Sequence, residues 1–294
     1  VEDYKLTIKV AGQALSGTVF KDRNANGSND AETGIGKVSI VLEEKATNTC
    51  RSVKTNAKGH YQFSGLANGD YVVYEAAPET VPAPETCPPV AADPTGYQSS
   101  TANSYAVTIN DADISNQDFG DMANPSFTLD NSLVTQANTT VAHPHIFRTE
   151  VDGNVTLSLL EENLDPSDVL WKTQLLRDNN CDGKLNKGDT VINGAISLNA
   201  GDKLCVLTKV LTPANASSGA TQTLTLQSEF TYGDGSVVTT TNKQTRTDIT
   251  KVNGGNSDVV VNGAGKLDLK KSVWNVTRNQ SGETALPGET LRYT

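Results

Sequence analysis

Short runs in which apolar and polar residues alternate recur along this sequence, and Gly or Asn turns separate them. In the first part of the chain these runs are LSGTVF, KVSIVLEE, RSVKTN, YQFSGL, YVVYEAAP, SYAVTIN and ISNQDFGD. A two-residue period with regular turn signals is typical of β-sandwich strands. Aromatic residues make up only 5% of the chain, while β-branched residues and turn formers abound. We therefore predict an all-β chain of tandem immunoglobulin-like β-sandwich domains.

The length of 294 residues indicates about two domains. Asn124-Pro125 is the expected boundary between them, since Pro ends a strand ladder and a new alternating run follows at once. A Gly/Asn-rich linker starts near residue 254. We predict one sandwich over 1–123 and a second over 124–253. The remainder, 254–294, is expected to be this linker and the first strands of a third, truncated β-domain, or an exchanged strand.

One segment, DNNCDGKLNKGD over 178–189, has oxygen-bearing residues at the spacing of an EF-hand calcium loop. Gly183 at position six would make the sharp turn, and Asp189 replaces the usual Glu at position twelve. The predicted ligands are Asp178, Asn180, Asp182, the backbone carbonyl of Lys184, Asn186 and Asp189. The alternative is an ordinary Asx-rich turn between two strands.

A second segment, DRNANGSNDAE over 22–32, repeats the first half of this pattern. Its predicted ligands are Asp22, Asn24, Asn26, Ser28, Asp30 and Glu32. Glu32 lies at position eleven, one residue earlier than the usual acid at position twelve. The recurrence favours Ca²⁺ as the cofactor of both segments over two unrelated turns.

Three blocks of the first domain resemble a known family. They are LSGTVFKDRNANGSNDAETGIGKVSIVLE, GHYQFSGLANGDYVVYEAAP and ISNQDFGD. Over about residues 13–122 they are similar to the calcium-binding B-type domain of serine-aspartate repeat adhesins, the SdrD B-like family of bacterial surface proteins. The resemblance implies a seven-stranded sandwich, usually in tandem and rigidified by calcium. Residues 125–252 resemble, through shorter motifs, the conserved-repeat β-domains of bacterial surface proteins.

Related Cna B-type domains carry a Glu that promotes a Lys–Asn isopeptide bond, and Glu75 occupies the matching position in YVVYEAAP. Lys9 and Asn116 would be its partners. The competing and preferred expectation is an exposed Glu75 at a strand end, because the resemblance is to the calcium-binding branch. An isopeptide bond would lower the intact mass by one ammonia.

The net charge of −10 and the pI near 4.8 argue against nucleic acid or an anionic membrane as a partner, since both need a basic surface. No run of 18 apolar residues and no signal peptide are present in the sequence. We therefore expect a mature, soluble, extracytoplasmic fragment without membrane insertion.

Four cysteines form two local pairs, each inside one predicted domain. We predict the disulfides Cys50–Cys87 and Cys181–Cys205, and with them an oxidising compartment. The alternative is four buried free thiols. His143 and His145 lie on one face of a predicted strand, but without a third ligand nearby in sequence we expect surface histidines rather than a metal site.

No nucleophile elbow, catalytic Cys/His motif or HExxH motif is present in the sequence, so we predict no enzyme. The expected function is a calcium-stabilised stalk or filament segment of a secreted or surface-displayed bacterial adhesin. Its expected partners are neighbouring β-domains of the same chain or like subunits, and host or biofilm surface ligands. Two alternatives remain: a fibre subunit joined by strand exchange through Val1–Val10 or Leu267–Thr294, and a carbohydrate- or protein-binding module. Such a module would need clustered exposed aromatic side chains, whereas Trp171 and Trp274 lie in strand patterns.

Overall fold

The structure is a computed structural model. It describes residues 12–76, 87–167, 170–239, 241–253, 273–277, 280–281 and 290–293. The first-strand prediction for Val1–Val10, the linker over 254–265 and most of Leu267–Thr294 lie outside these residues. No helix in the described part of the chain is long and apolar enough to cross a membrane.

The first sandwich consists of two four-stranded sheets with the orders β4-β1-β8-β6 and β3-β2-β5-β7. Its strands are β1 (Gln13–Lys21), β2 (Ser39–Glu44), β3 (Thr49–Lys54), β4 (His60–Leu66), β5 (Gly69–Ala76), β6 (Tyr97–Ser99), β7 (Ser104–Ile109) and β8 (Phe119–Ala123). β1 pairs antiparallel with β4 and parallel with β8. Alternate side chains of the two sheets face each other and form one apolar core, which includes Leu15, Val19, Phe63, Phe119, Ile40, Leu42 and Val73.

The second sandwich consists of two five-stranded sheets with the orders β10-β18-β17-β12-β15 and β14-β13-β16-β11-β9. Its strands are β9 (Ser126–Phe127), β10 (Asn131–Thr135), β11 (Thr140–Arg148), β12 (Gly153–Asp165), β13 (Lys172–Arg177), β14 (Thr190–Val191), β15 (Ile196–Leu198), β16 (Lys203–Leu211), β17 (Thr221–Tyr232) and β18 (Thr241–Val252). In β17 every second residue is buried. This alternation is the expected consequence of one sheet face packing on the core.

Three short strands follow as a separate sheet: β19 (Val273–Asn275), β20 (Gln280–Ser281) and β21 (Leu291–Tyr293), in the order β20-β19-β21. The all-β fold class of tandem sandwiches is therefore confirmed.

Both predicted disulfides are present. Cys50 on the edge strand β3 is bonded to Cys87, with a Cα–Cα distance of 5.7 Å. Cys181 is bonded to Cys205 on β16, with a Cα–Cα distance of 5.4 Å. Each bridge stays within one sandwich, so each restricts the unfolded chain locally.

Two expectations about ionisable side chains are wrong. His143 and His145 are 0% and 1% exposed, because β11 places both, together with Phe147, on its inward face. Glu75 is also fully buried rather than exposed at a strand end. It lies inside β5, where the alternation of the strand directs it into the sandwich opposite Asp121 of β8.

Candidate calcium loops

The first Asp-rich loop begins directly after β1, and its first residue, Asp22, is fully buried. Oδ1 of Asp22 accepts a hydrogen bond from the backbone N–H of Asn26 at 3.1 Å, and Oδ2 accepts one from Gly27 at 2.7 Å. Gly27 has a φ of 71°, a conformation that favours glycine. The backbone therefore turns back over the carboxylate of position one, as a cation-binding loop of this spacing requires.

Two other predicted ligands of this loop, Asn24 and Asn26, meet at Asp30. Its Oδ2 accepts hydrogen bonds from the side-chain amides of Asn26 at 2.7 Å and Asn24 at 3.2 Å. These donors lower the pKa of Asp30, with Asn26 contributing most. Ser28 donates its backbone N–H to Oδ1 of Asn26 at 2.8 Å. Positions three, five and nine are thus already close together.

Glu32 also reaches the loop from position eleven. Its Oε1 accepts a hydrogen bond from the backbone N–H of Arg23 at 2.7 Å, while its Oε2 is buried without a hydrogen-bond donor. Burial raises the pKa of Glu32, and the negative charges of Asp22 and Asp30 raise it further. The acid therefore lies within the electrostatic field of the other two carboxylates, in spite of its early position.

The second loop connects β13 to β14 and repeats the turn of the first. Oδ2 of Asp178 accepts a hydrogen bond from the backbone N–H of Gly183 at 2.8 Å. Asp182 donates its backbone N–H to Oδ1 of Asn180 at 3.3 Å, and Lys184 donates its own to Oδ1 of Asp182 at 2.8 Å. The first loop contains the same three bonds at the same loop positions.

The backbone conformations of the two loops agree as well. At position four, φ is 57° for Ala25 and 55° for Cys181. At position six, φ is 71° for Gly27 and 73° for Gly183. Left-handed conformations at non-glycine residues are uncommon. The recurrence of one at position four, together with the glycine turn at position six, shows that the two segments fold into one type of loop.

The far half of the second loop closes through Asp189. Oδ2 of Asp189 accepts a hydrogen bond from the backbone N–H of Asn186 at 2.8 Å. Asn186 in turn donates its side-chain amide to Oδ1 of Asn180 at 3.3 Å. The residues of positions three, nine and twelve are therefore linked across the loop.

Three carboxylate oxygens of the predicted ligands are buried and have no hydrogen-bond donor: Oδ1 of Asp178, Oδ1 of Asp189 and Oε2 of Glu32. Buried polar atoms are normally satisfied, so unpaired oxygens require an explanation. A hard divalent cation prefers oxygen ligands of this kind. The donor set of both loops, carboxylates with amide and backbone oxygens, fits Ca²⁺ by its chemistry.

The loops are not in a ready-made coordination geometry. In the described part of the chain no group of three or more His, Cys, Asp or Glu side chains has a metal-binding arrangement. The amides of Asn24, Asn26 and Asn180 donate hydrogen bonds to neighbouring carboxylates. Coordination of a cation would require each amide to present its oxygen instead of its nitrogen.

The first loop also lies at the junction between the two sandwiches. Ala25 is 6% exposed and belongs to the apolar core of the second sandwich. The backbone carbonyl of Arg23 accepts a hydrogen bond from the backbone N–H of Asp152 at 2.7 Å. The guanidinium group of Arg23 donates one to the backbone carbonyl of Ala200 at 3.4 Å. A loop predicted only as a metal site is therefore a contact surface too. In the sequence, this contact with the second sandwich is indicated by the apolar Ala between two Asn residues.

The second loop is held inside its own sandwich. The backbone N–H of Asp178 donates to the carbonyl of Cys205 at 3.0 Å, and Cys181 is bonded to the same residue through its sulfur. Gly183 lies beside Pro144 of β11. An ion in this loop would therefore brace β13, β14 and β16.

The groups proposed for an isopeptide bond are not assembled in the described residues. Glu75 faces Asp121, and the carboxylate oxygens of both are buried without a hydrogen-bond donor. Asn116 is exposed in the loop before β8. Lys9 lies outside the described residues. The buried partner Asp121 was missed because no sequence motif relates β5 to β8.

Comparison with known proteins gives a match for the first part of the chain. Residues 13–131 match the SdrD B-like domain. Serine-aspartate repeat-containing protein F of Staphylococcus epidermidis is 43% identical over 60 residues, which are 20% of this chain and 4% of that protein. Serine-aspartate repeat-containing protein D of Staphylococcus aureus (strain Newman) is 39% identical over 66 residues, or 22% of this chain and 5% of that protein. The matches thus span only a small part of these relatives.

Among solved structures, BcpA, the major pilin subunit of Bacillus cereus, covers 96% of this chain with a TM-score of 0.43 and 13% identity, over 82% of its own length. The full-length major pilin SpaD of Corynebacterium diphtheriae covers 98% of this chain with a TM-score of 0.38 and 13% identity, over 80% of its own length.

The sequence comparisons agree with two expectations. The matching domain family is a structural family of surface proteins and not an enzyme family. An extracellular or cell-surface location is confirmed, and the two disulfides are consistent with it.

Proposed function

Since residues 13–131 match the SdrD B-like domain, we propose that this chain is a calcium-stabilised stalk or filament segment of a bacterial surface adhesin. The observation that carries the proposal is the repeated loop, with the same turn in both sandwiches and buried carboxylate oxygens that lack donors in each. Neighbouring β-domains of the same chain or like subunits are its proposed partners.

Calcium would act differently at the two loops because their surroundings differ. The first loop contacts the second sandwich through Ala25 and Arg23. Fixing this loop would therefore fix the junction and stiffen the stalk. In the part of the chain that the structure describes, the contacts of the second loop with Cys205 and Pro144 lie within its own sandwich, so an ion there would stabilise that sandwich.

The described surface supports a structural role. The exposed large hydrophobic side chains of the described part are all aliphatic, among them Val90, Leu129 and Leu170. Trp171 is 7% exposed and packs in the core of the second sandwich. A carbohydrate-binding module would instead present aromatic rings on its surface.

The test is removal of calcium from the chain. Chelation is expected to lower the melting temperature of both sandwiches and to broaden the distance distribution in small-angle X-ray scattering. Calcium at a hundredfold excess over Kd should stabilise a loaded sandwich by about 2.7 kcal/mol. Magnesium is expected to substitute poorly, because it requires a smaller octahedral shell.

Matched variants distinguish the calcium response of the first loop from that of the second. Asp22→Asn should abolish the calcium response of the first sandwich and of the scattering profile, while Asp178→Asn should abolish only that of the second sandwich. Asp70→Asn is the control, because Asp70 is exposed on β5 and outside both loops. If chelation changes neither melting nor scattering in the unmodified chain, the calcium proposal is wrong and both segments are ordinary turns.

A further inference from the structure

The second sandwich contains a cluster of ionisable side chains that its proposed structural role does not use. His143 and His145 lie on β11, and Asp248 lies on β18 of the facing sheet. Their exposed fractions are 0%, 1% and 0%. Ionisable groups are seldom buried so completely unless they are paired. The cluster therefore joins the two sheets through polar contacts inside the sandwich.

The contacts within the cluster are specific. Nε2 of His145 lies 3.0 Å from both carboxylate oxygens of Asp248. Nε2 of His143 lies 2.8 Å from the hydroxyl oxygen of Thr250, and its Nδ1 lies 3.9 Å from Oδ1 of Asp248. Nδ1 of each histidine is buried without a hydrogen-bond partner. One carboxylate thus faces two imidazoles.

The charge of the cluster depends on how many imidazoles carry a second proton. With both neutral, the cluster has the single negative charge of Asp248. One imidazolium is neutralised by that carboxylate, but a second one leaves a net positive charge in a fully buried site. Burying an unpaired charge is costly. Protonation of both histidines is therefore incompatible with the packed sandwich.

The other groups around the cluster supply no further negative charge. Thr208 of β16 and Asn131 of β10 are neutral, and the Asn131 amide lies 3.4 Å from Oδ1 of Asp248. The ring of Phe127 on β9 packs against that of His145, with 5.3 Å between the ring centroids. Arg246 of β18, the nearest cation among these groups, lies over Phe127 and donates to its carbonyl. No second carboxylate of the described residues is in contact with either histidine.

We propose that the His143–Asp248–His145 cluster is an acid-sensitive tie between the two sheets of the second sandwich. At neutral pH it holds β11 against β18. When acid supplies the second imidazolium proton, the tie is broken, and the second sandwich opens before the first.

The direction of the pH effect follows from His143. Burial lowers its pKa below 6.5, and the positive charge that His145 can carry lowers it further, while Asp248 acts in the opposite direction. A histidine with a lowered pKa in the folded state binds its proton more readily when unfolded. Its contribution to stability is therefore complete above about pH 6.5 and is lost as the pH falls below that value.

The test uses the full chain with Trp274→Phe, which leaves Trp171 as the fluorescent reporter of the second sandwich. In urea unfolding, the unfolding equilibrium constant should rise by up to about tenfold per pH unit below pH 6.5. His143→Gln should flatten this dependence, because Gln can still bond Thr250 but cannot take up a proton. His60→Gln is the matched control, since His60 is the exposed third histidine of the chain.

A wild-type chain without this pH dependence, or a His143→Gln chain that retains it, would overturn the proposal. If His143→Gln does not fold at pH 7.5, NMR titration of the wild-type imidazoles decides the question. The His143 imidazole should then remain neutral at pH values below the ordinary histidine pKa of about 6.5, and titration at that ordinary value would contradict the proposal.

Discussion

The two Asp-rich loops share one turn but are held by different neighbours. At position four, Ala25 of the first loop inserts into the apolar core of the next sandwich. At the same position of the second loop, Cys181 is bonded to Cys205 within its own sandwich. In each loop the residue at position four attaches the turn to its surroundings. The same turn therefore connects two domains in one case and stabilises a single domain in the other.

Removal of the covalent brace should give the largest effect. Replacing Cys181 and Cys205 together by Ala is expected to lower the free energy of unfolding of the second sandwich by about 2–5 kcal/mol, because the unfolded chain loses its constraint. Urea unfolding followed by Trp171 fluorescence measures it. The matched control, Cys50→Ala with Cys87→Ala, should destabilise only the first sandwich. Equal losses at Trp171 from both pairs would show that the two loops are not held independently.

Removal of the apolar contact should have a smaller effect, confined to the junction. Ala25→Asn places a polar amide in the core of the second sandwich, which costs about 1–3 kcal/mol. We expect weaker docking of the sandwiches, measured as faster proteolysis near Asn124 and a broader scattering profile. Ala31→Asn is the control, since Ala31 is exposed in the same loop and Asn tolerates its φ of 63°. If Ala25→Asn changes melting but not proteolysis or scattering, the first loop is not a joint.

The sequence was sufficient for the features that depend on local pattern. Strand alternation predicted the β-sandwiches, and Asp, Asn and Gly spacing predicted two loops that prove to have the same turn. Local cysteine spacing predicted both disulfides. Each of these signals lies within a few tens of residues, where the chain itself limits the possible contacts.

The features that the sequence did not predict depend on contacts between distant strands. His143 and Asp248 are 105 residues apart in numbering, and Glu75 and Asp121 lie on facing sheets. Alternation predicts that His143 and His145 share a face, but not that the opposite sheet supplies a carboxylate. The average preference of polar residues predicts that these side chains lie on the surface. At both buried clusters that prediction is wrong.

The buried clusters of the two sandwiches differ in their ionisable groups. The first sandwich contains the acid pair Glu75 and Asp121, whereas the second contains two histidines that face one acid. Burial and the facing charge of Asp121 raise the pKa of Glu75, and burial raises that of Asp121. Only a shared proton can satisfy two carboxyl groups in contact, because their oxygens have no other donor.

The acid pair predicts the smallest effect, and its sign is opposite to that of the histidine cluster. An acid whose pKa is raised by folding stabilises at low pH and loses that contribution as the pH rises above about 4. Glu75→Gln should therefore raise the free energy of unfolding of the first sandwich at pH 8 by about 1–2 kcal/mol. The reason is that the Gln amide can donate to Asp121 at every pH.

The control is Glu44→Gln, because Glu44 is a partly exposed carboxyl on β2. Hydrogen exchange of β1 and β5 between pH 5 and pH 8 measures the effect. Protection that increases with pH in the wild-type first sandwich would contradict the shared proton and remove the contrast between the two domains.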